Sequence, residues 1–217
     1  MLLYYITDSQ GQPDRPAWLE ERVLAAARAG IDWIQIREKD LPARAQFDLA
    51  VRLRRRLATS PVRPRLLIND RLDIALAAGL DGVHLPAQGL PVADVAAQRA
   101  RLPAGFLIVA SCHSAAAVMQ AAEEGATAAV LGPIFATPSK LAYGAPLGLH
   151  ALQVARQVSI PVLALGGIAL DNAAACLRAG AAGLAAIRLF QSSEVAERCA
   201  ILRRLWRRSH DADQAGP

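Results

Sequence analysis

Short apolar runs that end in polar or glycine-rich segments recur along the chain, and they constrain its fold more than any other feature. Three of them span residues 33–39, 66–70 and 108–113. Continuous aliphatic and β-branched runs are typical of buried parallel strands, and α/β folds bind ligands beyond the carboxyl ends of such strands. The pattern therefore predicts a site assembled at one end of many strands.

A second pattern is a glycine that follows a helix-like segment and precedes the next strand-like run. It occurs at Gly30, Gly79, Gly125 and Gly180. Glycine suits the left-handed position just after a helix, so each occurrence marks the end of a helix and a tight loop into a strand. The repeated unit is one of alternating strands and helices.

The coarse assignment has eight strands, near 2–7, 33–37, 65–69, 82–85, 107–111, 128–132, 161–165 and 183–187. Helices alternate with them near 17–29, 43–58, 70–78, 91–101, 114–124, 148–157, 171–179 and 193–208. Strict alternation predicts a parallel sheet with right-handed crossovers, and eight units usually close into a barrel. We expect a single-domain (β/α)8 TIM barrel over residues 1–208 and a disordered polar tail over 209–217, with an open doubly wound sheet as the alternative.

Composition narrows the class of protein. The chain has 217 residues, 53% of them hydrophobic, which is enough for the core of one α/β domain. No apolar stretch approaches the roughly 18 residues of a membrane helix, and no signal-like segment opens the chain, so a cytoplasmic protein is expected. The net charge of +5 comes largely from arginines that alternate with apolar residues, as on solvated helix faces. Nucleic-acid and membrane partners are therefore not expected, whereas a homo-oligomer is allowed.

Three polar side chains share one face of the second predicted strand. Alternation places Gln35, Arg37 and Lys39 together, and the inward face at the top of a barrel strand meets the ligand. An amide with two cations suits a heteroaromatic or phosphorylated substrate. The alternative is a buried salt bridge of these cations with Glu38 or Asp70, because arginine and lysine are rarely buried unpaired.

Asn69 and Asp70 follow the third strand and open a helix. Asp70 could be the N-cap of that helix, which is the more common role for such a residue. It could instead bind Mg²⁺ that screens a diphosphate, because magnesium sites combine one or two carboxylates with substrate oxygens.

Two further strand ends carry candidate groups. Gly166 and Gly167 follow the seventh strand, and Ile187 and Arg188 follow the eighth, where barrels often bind phosphate through backbone N–H groups. His113 follows the fifth strand and could act as a general acid or base near neutral pH. Both signals have ordinary structural alternatives, a tight turn for the glycines and a structural histidine for His113.

Taken together, these residues resemble the thiamine phosphate synthases and their relatives, the thiazole tautomerases of bacterial thiamine biosynthesis. The similarity covers nearly the whole chain. Its motifs lie at residues 5–8, 35–39, 69–76, 82–85, 111–114, 132–135, 137–140 and 164–168.

The resemblance to the synthases implies a reaction and a set of site residues. An aminopyrimidine diphosphate loses pyrophosphate, and the ring nitrogen of a thiazole phosphate captures the resulting pyrimidinylmethyl cation. The residues implied for the pyrimidine and its diphosphate are Gln35, Arg37, Lys39, Asn69, Ser111 and Lys140, with Asp70 on Mg²⁺. Those implied for the thiazole phosphate are Thr137, Ser139, Gly167, Ile187 and Arg188. Arg37, Lys39, Lys140 and His113 are the candidate catalytic residues.

The chain departs from the synthase pattern at two positions. Gly89 stands where the synthases have a magnesium-binding aspartate, and Arg188 stands where a serine is usual. The sequence Leu85-Pro86 is closer to the tautomerases, which transfer a proton without metal and are thought to use the histidine that corresponds to His113. Gln35, Lys39 and Asp70 nevertheless match the synthases. We therefore predict a synthase, with a tautomerase as the alternative and a noncatalytic phosphate-ligand sensor as a third hypothesis.

Overall fold

A computed structural model describes residues 1–137 and 145–214, with side chains through Arg208. Within these residues eight parallel strands pair in chain order, and the last pairs with the first to close a barrel. This confirms the (β/α)8 prediction and excludes the open doubly wound sheet. The strands are β1 Leu2–Ile6, β2 Trp33–Ile36, β3 Arg65–Asn69, β4 Gly82–Leu85, β5 Leu107–Cys112, β6 Ala128–Leu131, β7 Val162–Leu165 and β8 Gly183–Ala186.

A helix follows each strand and packs on the outside of the barrel. The helices are α1 Arg15–Arg28, α2 Ala43–Ala58, α3 Leu72–Ala77, α4 Val92–Ala97, α5 Ala115–Glu123, α6 Gly148–Ala155, α7 Leu170–Arg178 and α8 Val195–Gln214. In the part of the chain that the structure describes, no helix is both long and apolar enough to cross a membrane.

The last helix is longer than the sequence predicted. It ends at Gln214, six residues beyond the expected end at 208, so its backbone is helical over much of the segment expected to be disordered. Extending an existing helix is easy, because each added residue gains a hydrogen bond without the cost of nucleation. The polar composition that suggested disorder is equally compatible with a solvated helix end.

The interior of the barrel is narrow and filled by side chains. Tyr4 and Trp33 meet edge to face there, with ring centroids 5.7 Å apart. The other buried inward-facing apolar residues are Ile6, Leu67, Val109, Ala128, Val130, Leu163 and Ala185. Because side chains alternate along each strand, the same faces continue towards the carboxyl ends with Gln35, Asn69 and Ser111. The apolar filling thus stops where the polar candidates begin.

The amino-terminal rim of the barrel is stabilised by a hydrogen bond that recurs at three strands. The residue before β2, β4 and β6 accepts the backbone N–H of the neighbouring strand through its side chain: Asp32 from Leu3 at 2.7 Å, Asp81 from Leu66 at 2.8 Å and Thr127 from Ile108 at 2.9 Å. The repeated glycines that precede these residues and β8 all have positive φ, between 64° and 103°, as their position after a helix requires. The amino-terminal rim is therefore a fixed base that leaves the other end free for a site.

Candidate active site

The mouth of the barrel contains a buried donor without an acceptor. Gln35 is 1% exposed and lies between Ile6 of β1 and Leu67 of β3 in the sheet register. Its Nε2 has no hydrogen-bond partner among the described residues. A buried polar group left unpaired costs about 1–3 kcal/mol, so this amide is suited to donate to a ligand. Gln35 lies on the inward face of β2, at the mouth of the barrel, as the alternation in this strand predicted.

A polar cleft of about 260 Å³ opens beyond the ends of β2, β3 and β4. Lys39, Asn69 and Asp70, all predicted for the site, line it together. Lys39 is exposed and forms no ion pair within the described residues. The other lining residues are Ile36, Glu38, Gln46, Arg71 and Pro86. The cleft offers charges of both signs to a charged ligand.

Arg37 lies in the chain between Ile36 and Glu38, which line this cleft, and it has no carboxylate partner in the described part of the chain. The alternative of a salt bridge of Arg37 or Lys39 with Glu38 or Asp70 is wrong, because Glu38 pairs instead with Arg15 at 2.7 Å and Asp70 forms no ion pair with a described residue. The Arg37 backbone N–H donates to Thr7 Oγ1 at 2.9 Å, which fixes the chain where it leaves β2. Its half-buried guanidinium is therefore available for an anion.

Glu38 is the carboxylate that holds the mouth of the barrel together, a role that the sequence analysis missed. Its side chain is 1% exposed and accepts from the hydroxyls of Thr7 and Ser9, each at 2.6 Å, and from Arg15. Burial alone would raise the pKa of Glu38, but the hydrogen bonds from Arg15, Ser9 and Thr7 outweigh it and lower the pKa. The loop after β1 is thereby tied to the segment that carries Arg37 and Lys39.

Asp70 does not cap the helix that follows it. It adopts a left-handed conformation with φ of 61°, α3 begins only at Leu72, and no side chain caps that helix. The N-cap interpretation is therefore wrong. The Asp70 carboxylate makes no hydrogen bond or ion pair with a described residue and faces the cleft. A left-handed non-glycine residue costs about 1–3 kcal/mol, and such strain is common at ligand sites.

The residues around Asp70 are compatible with Mg²⁺. Magnesium often takes one or two protein carboxylates and completes its coordination with water and substrate phosphates. The described residues contain no cluster of three or more side chains of the metal-binding types, so the protein would contribute few ligands. Gly89 is close to this carboxylate: a Cβ at position 89 would lie 2.5 Å from Asp70 Oδ1. Gly89, at which the chain departs from the synthase pattern, is thus next to Asp70, the predicted magnesium ligand.

His84, for which the sequence showed no partner pattern, lies inside the barrel directly below the mouth. It is 2% exposed, its Nδ1 lies 3.0 Å from Tyr4 Oη, and its Nε2 lies 2.7 Å from Ser111 Oγ. Burial, together with the charge of Arg37, lowers the pKa of His84 to about 3. The imidazole is therefore neutral at physiological pH. A single histidine within an apolar strand gives no sign of these contacts.

His113 has one ring nitrogen that is fixed by a hydrogen bond and one that has no partner among the described residues. Its Nδ1 lies 2.6 Å from the carbonyl oxygen of Gly132 and must donate to it, because a carbonyl only accepts. A neutral ring would then carry its lone pair on Nε2. The side chain is exposed at the end of β5. This geometry suits the predicted role in proton transfer, which stays a prediction.

The glycines after β7 allow two loops to approach closely. The N–H groups of Ile134 and Phe135 donate to the carbonyls of Leu165 and Gly166, at 2.8 and 3.0 Å. A Cβ on Gly167 would lie 2.7 Å from Phe135 Cβ, so a side chain there would separate the loops. Gly166 and Gly167 therefore have the structural role that the tight-turn alternative describes. Phosphate binding by these glycines stays a prediction.

The remaining predicted residues surround the same end of the barrel or fall outside the description. Ile187 packs against the barrel interior, whereas Arg188 is exposed and has no ion pair within the described residues. Thr137 is partly buried at the end of the described segment. Ser139 and Lys140 lie outside the described residues.

The Glu38 network predicts a pH-dependent stability. Because the pKa of Glu38 lies below its ordinary value of 4.5, the network stabilises the fold at higher pH and is lost as the pH falls through the lowered pKa. We expect Glu38→Gln to lower the free energy of unfolding at pH 7 by about 3 kcal/mol, since it leaves Arg15 without its buried partner. Urea unfolding between pH 7 and pH 3 measures both effects.

The matched control is Asp40→Asn, which removes an exposed partner of the same Arg15. It should cost much less at pH 7 than the change at Glu38. The Glu38→Gln variant should also lose stability less steeply in acid than the wild type. If the free energy of unfolding fell equally with pH in Glu38→Gln and in the wild type, the lowered pKa assigned to Glu38 would be contradicted.

Comparisons with known proteins agree with this geometry. The family model described as thiamine monophosphate synthase matches residues 3–190. A thiamine-phosphate synthase of Methanoculleus marisnigri is 47% identical over 163 residues, 75% of this chain and 75% of that protein. One from Roseiflexus castenholzii is 43% identical over 187 residues, 86% of this chain and 79% of that protein.

A solved structure of a thiamine phosphate pyrophosphorylase from Pyrococcus furiosus has the same fold. It superposes with a TM-score of 0.78 at 30% identity, covering 95% of this chain and 96% of that one. The family resemblance inferred from the motifs is confirmed. The chain belongs to the thiamine monophosphate synthase family.

Proposed function

We propose that this protein is a transferase that joins hydroxymethylpyrimidine diphosphate to thiazole phosphate and releases pyrophosphate, forming thiamine phosphate. The observation that carries the proposal is the buried Gln35 Nε2, which has no partner among the described residues, beside a cleft lined by Lys39 and Asp70. A buried donor suits an acceptor on a heteroaromatic ring. A cation and a free carboxylate next to it suit a diphosphate with its metal ion.

The pyrimidine ring binds at the mouth of the barrel, where the apolar filling stops. Gln35 Nε2 donates to the ring, and the hydroxyl of Ser111, held by His84, contacts it from β5. Asn69, at the end of β3, lines the adjoining cleft. The ring thereby gives the Gln35 amide the acceptor that it lacks among the described residues, which favours a heteroaromatic ligand over an aliphatic one.

The diphosphate lies over the cleft and is the leaving group. Arg37 and Lys39 stabilise the negative charge that grows on pyrophosphate as the carbon–oxygen bond breaks and its electron pair leaves with the oxygen. Lys140, assigned by resemblance, adds a further cation. Mg²⁺, when bound, would be held by Asp70 and would neutralise diphosphate oxygens.

The thiazole phosphate completes the reaction. Its ring nitrogen supplies the lone pair that forms the new bond to the pyrimidinylmethyl carbon. Its phosphate is assigned to Thr137, Ser139, Gly167 and the backbone near Ile187 and Arg188. The exposed guanidinium of Arg188 offers this phosphate a charge that the usual serine lacks.

A thiazole tautomerase is the second candidate function, and the geometry of His113 favours it. Its Nδ1 contact with Gly132 leaves Nε2 as a base for proton transfer. The synthase accounts for more of the site, because proton transfer on a thiazole needs neither the Gln35 amide nor the cleft with Lys39 and Asp70. Small phosphorylated substrates are the partners in both cases, and a cytoplasmic location stays a prediction.

The test is a product assay with both substrates and Mg²⁺, with EDTA as the metal control. We expect equal amounts of thiamine phosphate and pyrophosphate, and little of either with EDTA. Arg37→Ala should reduce kcat/KM by about 100-fold or more, because it removes a charge that stabilises the leaving group. Arg44→Ala, which changes an exposed arginine paired with Asp48 on α2, is the matched control and should keep the wild-type rate.

Two results would contradict this account. A wild-type rate for Arg37→Ala would show that Arg37 is not part of the active site. Absence of thiamine phosphate from the wild-type protein would contradict the synthase, and thiazole proton exchange that is lost in His113→Ala would then identify the tautomerase. Tight ligand binding without any product would favour the noncatalytic sensor.

The closeness of position 89 to the Asp70 carboxylate predicts how a second carboxylate there would behave. Gly89→Asp should lower the melting temperature without metal, because the two carboxylates repel and a Cβ would lie 2.8 Å from Pro86 Cδ. Saturating Mg²⁺ should then raise the melting temperature of this variant by about 3 °C or more beyond its effect on the wild type. Gly89→Asn is the control of equal size, and an equal Mg²⁺ response of both variants would place the metal away from Asp70.

A further inference from the structure

A hydrogen-bonded chain of three side chains runs from the barrel interior to the proposed pyrimidine site. Tyr4 on β1, His84 on β4 and Ser111 on β5 are linked through the two ring nitrogens of His84. Tyr4 is fully buried, and its ring stacks on that of His84 with centroids 5.8 Å apart. Only Ser111 is partly exposed. The chain therefore ends at the mouth with a hydroxyl that a ligand can reach.

The burial of the chain selects one arrangement of its protons. Within the described residues, the hydroxyl of Tyr4 has no hydrogen-bond partner other than His84 Nδ1. If Nδ1 carried the proton, the buried hydroxyl proton of Tyr4 would lack an acceptor, which is costly in an apolar interior. With Nδ1 as the acceptor, Tyr4 donates to it, and Nε2–H of a neutral ring donates to Ser111 Oγ.

This arrangement determines what Ser111 can do. Its oxygen accepts from His84, so its own proton is not used within the chain. That proton can point into the mouth of the barrel and be donated to an acceptor atom of a ligand. In the opposite tautomer Ser111 would donate to Nε2 and could offer the ligand only a lone pair.

We propose that Tyr4 and His84 are positioning residues that keep the Ser111 hydroxyl as a hydrogen-bond donor to the pyrimidine ring. The proposal deepens the proposed function and rests on it for the identity of the ligand. Tyr4 acts only through His84, and His84 acts only through Ser111. Loss of the Tyr4 hydroxyl frees the ring to take the other tautomer, and Ser111 then turns its proton away from the ligand.

A double-mutant cycle tests this dependence. Tyr4→Phe should lower kcat/KM for the pyrimidine diphosphate by about tenfold, the effect of one hydrogen bond, while kcat/KM for thiazole phosphate, at saturating pyrimidine diphosphate, changes little. In a Ser111→Ala background the same change should have almost no effect. If the effects of the two substitutions simply multiply, Tyr4 does not act through Ser111 and the proposal is overturned.

The chain offers a matched control on the same strand. Tyr5 is also buried, but it faces outward and donates to Gln191 Oε1 at 3.2 Å. Tyr5→Phe removes one buried hydroxyl from β1 without touching the hydrogen-bonded chain. It should leave the pyrimidine kcat/KM near the wild-type value. A loss equal to that of Tyr4→Phe would mean that both changes act through general destabilisation, which overturns the proposal.

A second measurement needs neither turnover nor a folded variant of Tyr4. The protein has four histidines, so the ring ¹⁵N signals of His84 can be identified by their loss in His84→Gln. We expect a neutral ring with the proton on Nε2 in the wild-type protein at pH 7. A proton on Nδ1 would overturn the proposal even if the enzyme makes thiamine phosphate. A correct tautomer without product would instead count against the proposed function alone.

Discussion

The closure of eight strands into a narrow barrel is the constraint on which the rest of the structure depends. Once β8 pairs with β1, every second side chain points into a space that a few large residues fill. Tyr4 of β1 and Trp33, the first residue of β2, occupy part of this space. Further along the inward faces, towards the open end, the side chains become polar, and Gln35 on β2 and Ser111 on β5 lie there, with His84 buried directly below them.

The same closure makes those polar residues available for chemistry. A buried amide such as that of Gln35 would normally find a partner within the fold, since unpaired buried groups are rare. The protein instead uses its other polar groups to hold the mouth in shape. Glu38 forms an ion pair with Arg15 and accepts hydrogen bonds from two hydroxyls, and His84 holds Ser111 by a hydrogen bond. This division leaves Arg37 and Lys39 without an ion-pair partner among residues 1–137 and 145–208, a state that suits an anionic ligand.

Periodicity was sufficient to predict the barrel and the face of β2, because both follow from local alternation. The repeated glycines were equally informative, since the left-handed position after a helix favours glycine over nearly every other residue. His84 was missed because its partners Tyr4 and Ser111 lie on other strands, and no local pattern encodes a contact across the barrel. Asp70 was open to a wrong interpretation as a cap because aspartate is common both at N-caps and in left-handed turns, and here its φ of 61° places the start of α3 at Leu72.

The most direct test of this account is a crystal structure of the protein with hydroxymethylpyrimidine diphosphate and Mg²⁺ in the absence of thiazole phosphate. We predict that the pyrimidine ring lies at the mouth of the barrel, within hydrogen-bond distance of Gln35 Nε2 and Ser111 Oγ. We also predict that the diphosphate lies in the cleft beside Lys39 and Asp70. A ring bound elsewhere, with the amide of Gln35 still unpaired, would contradict the central claim.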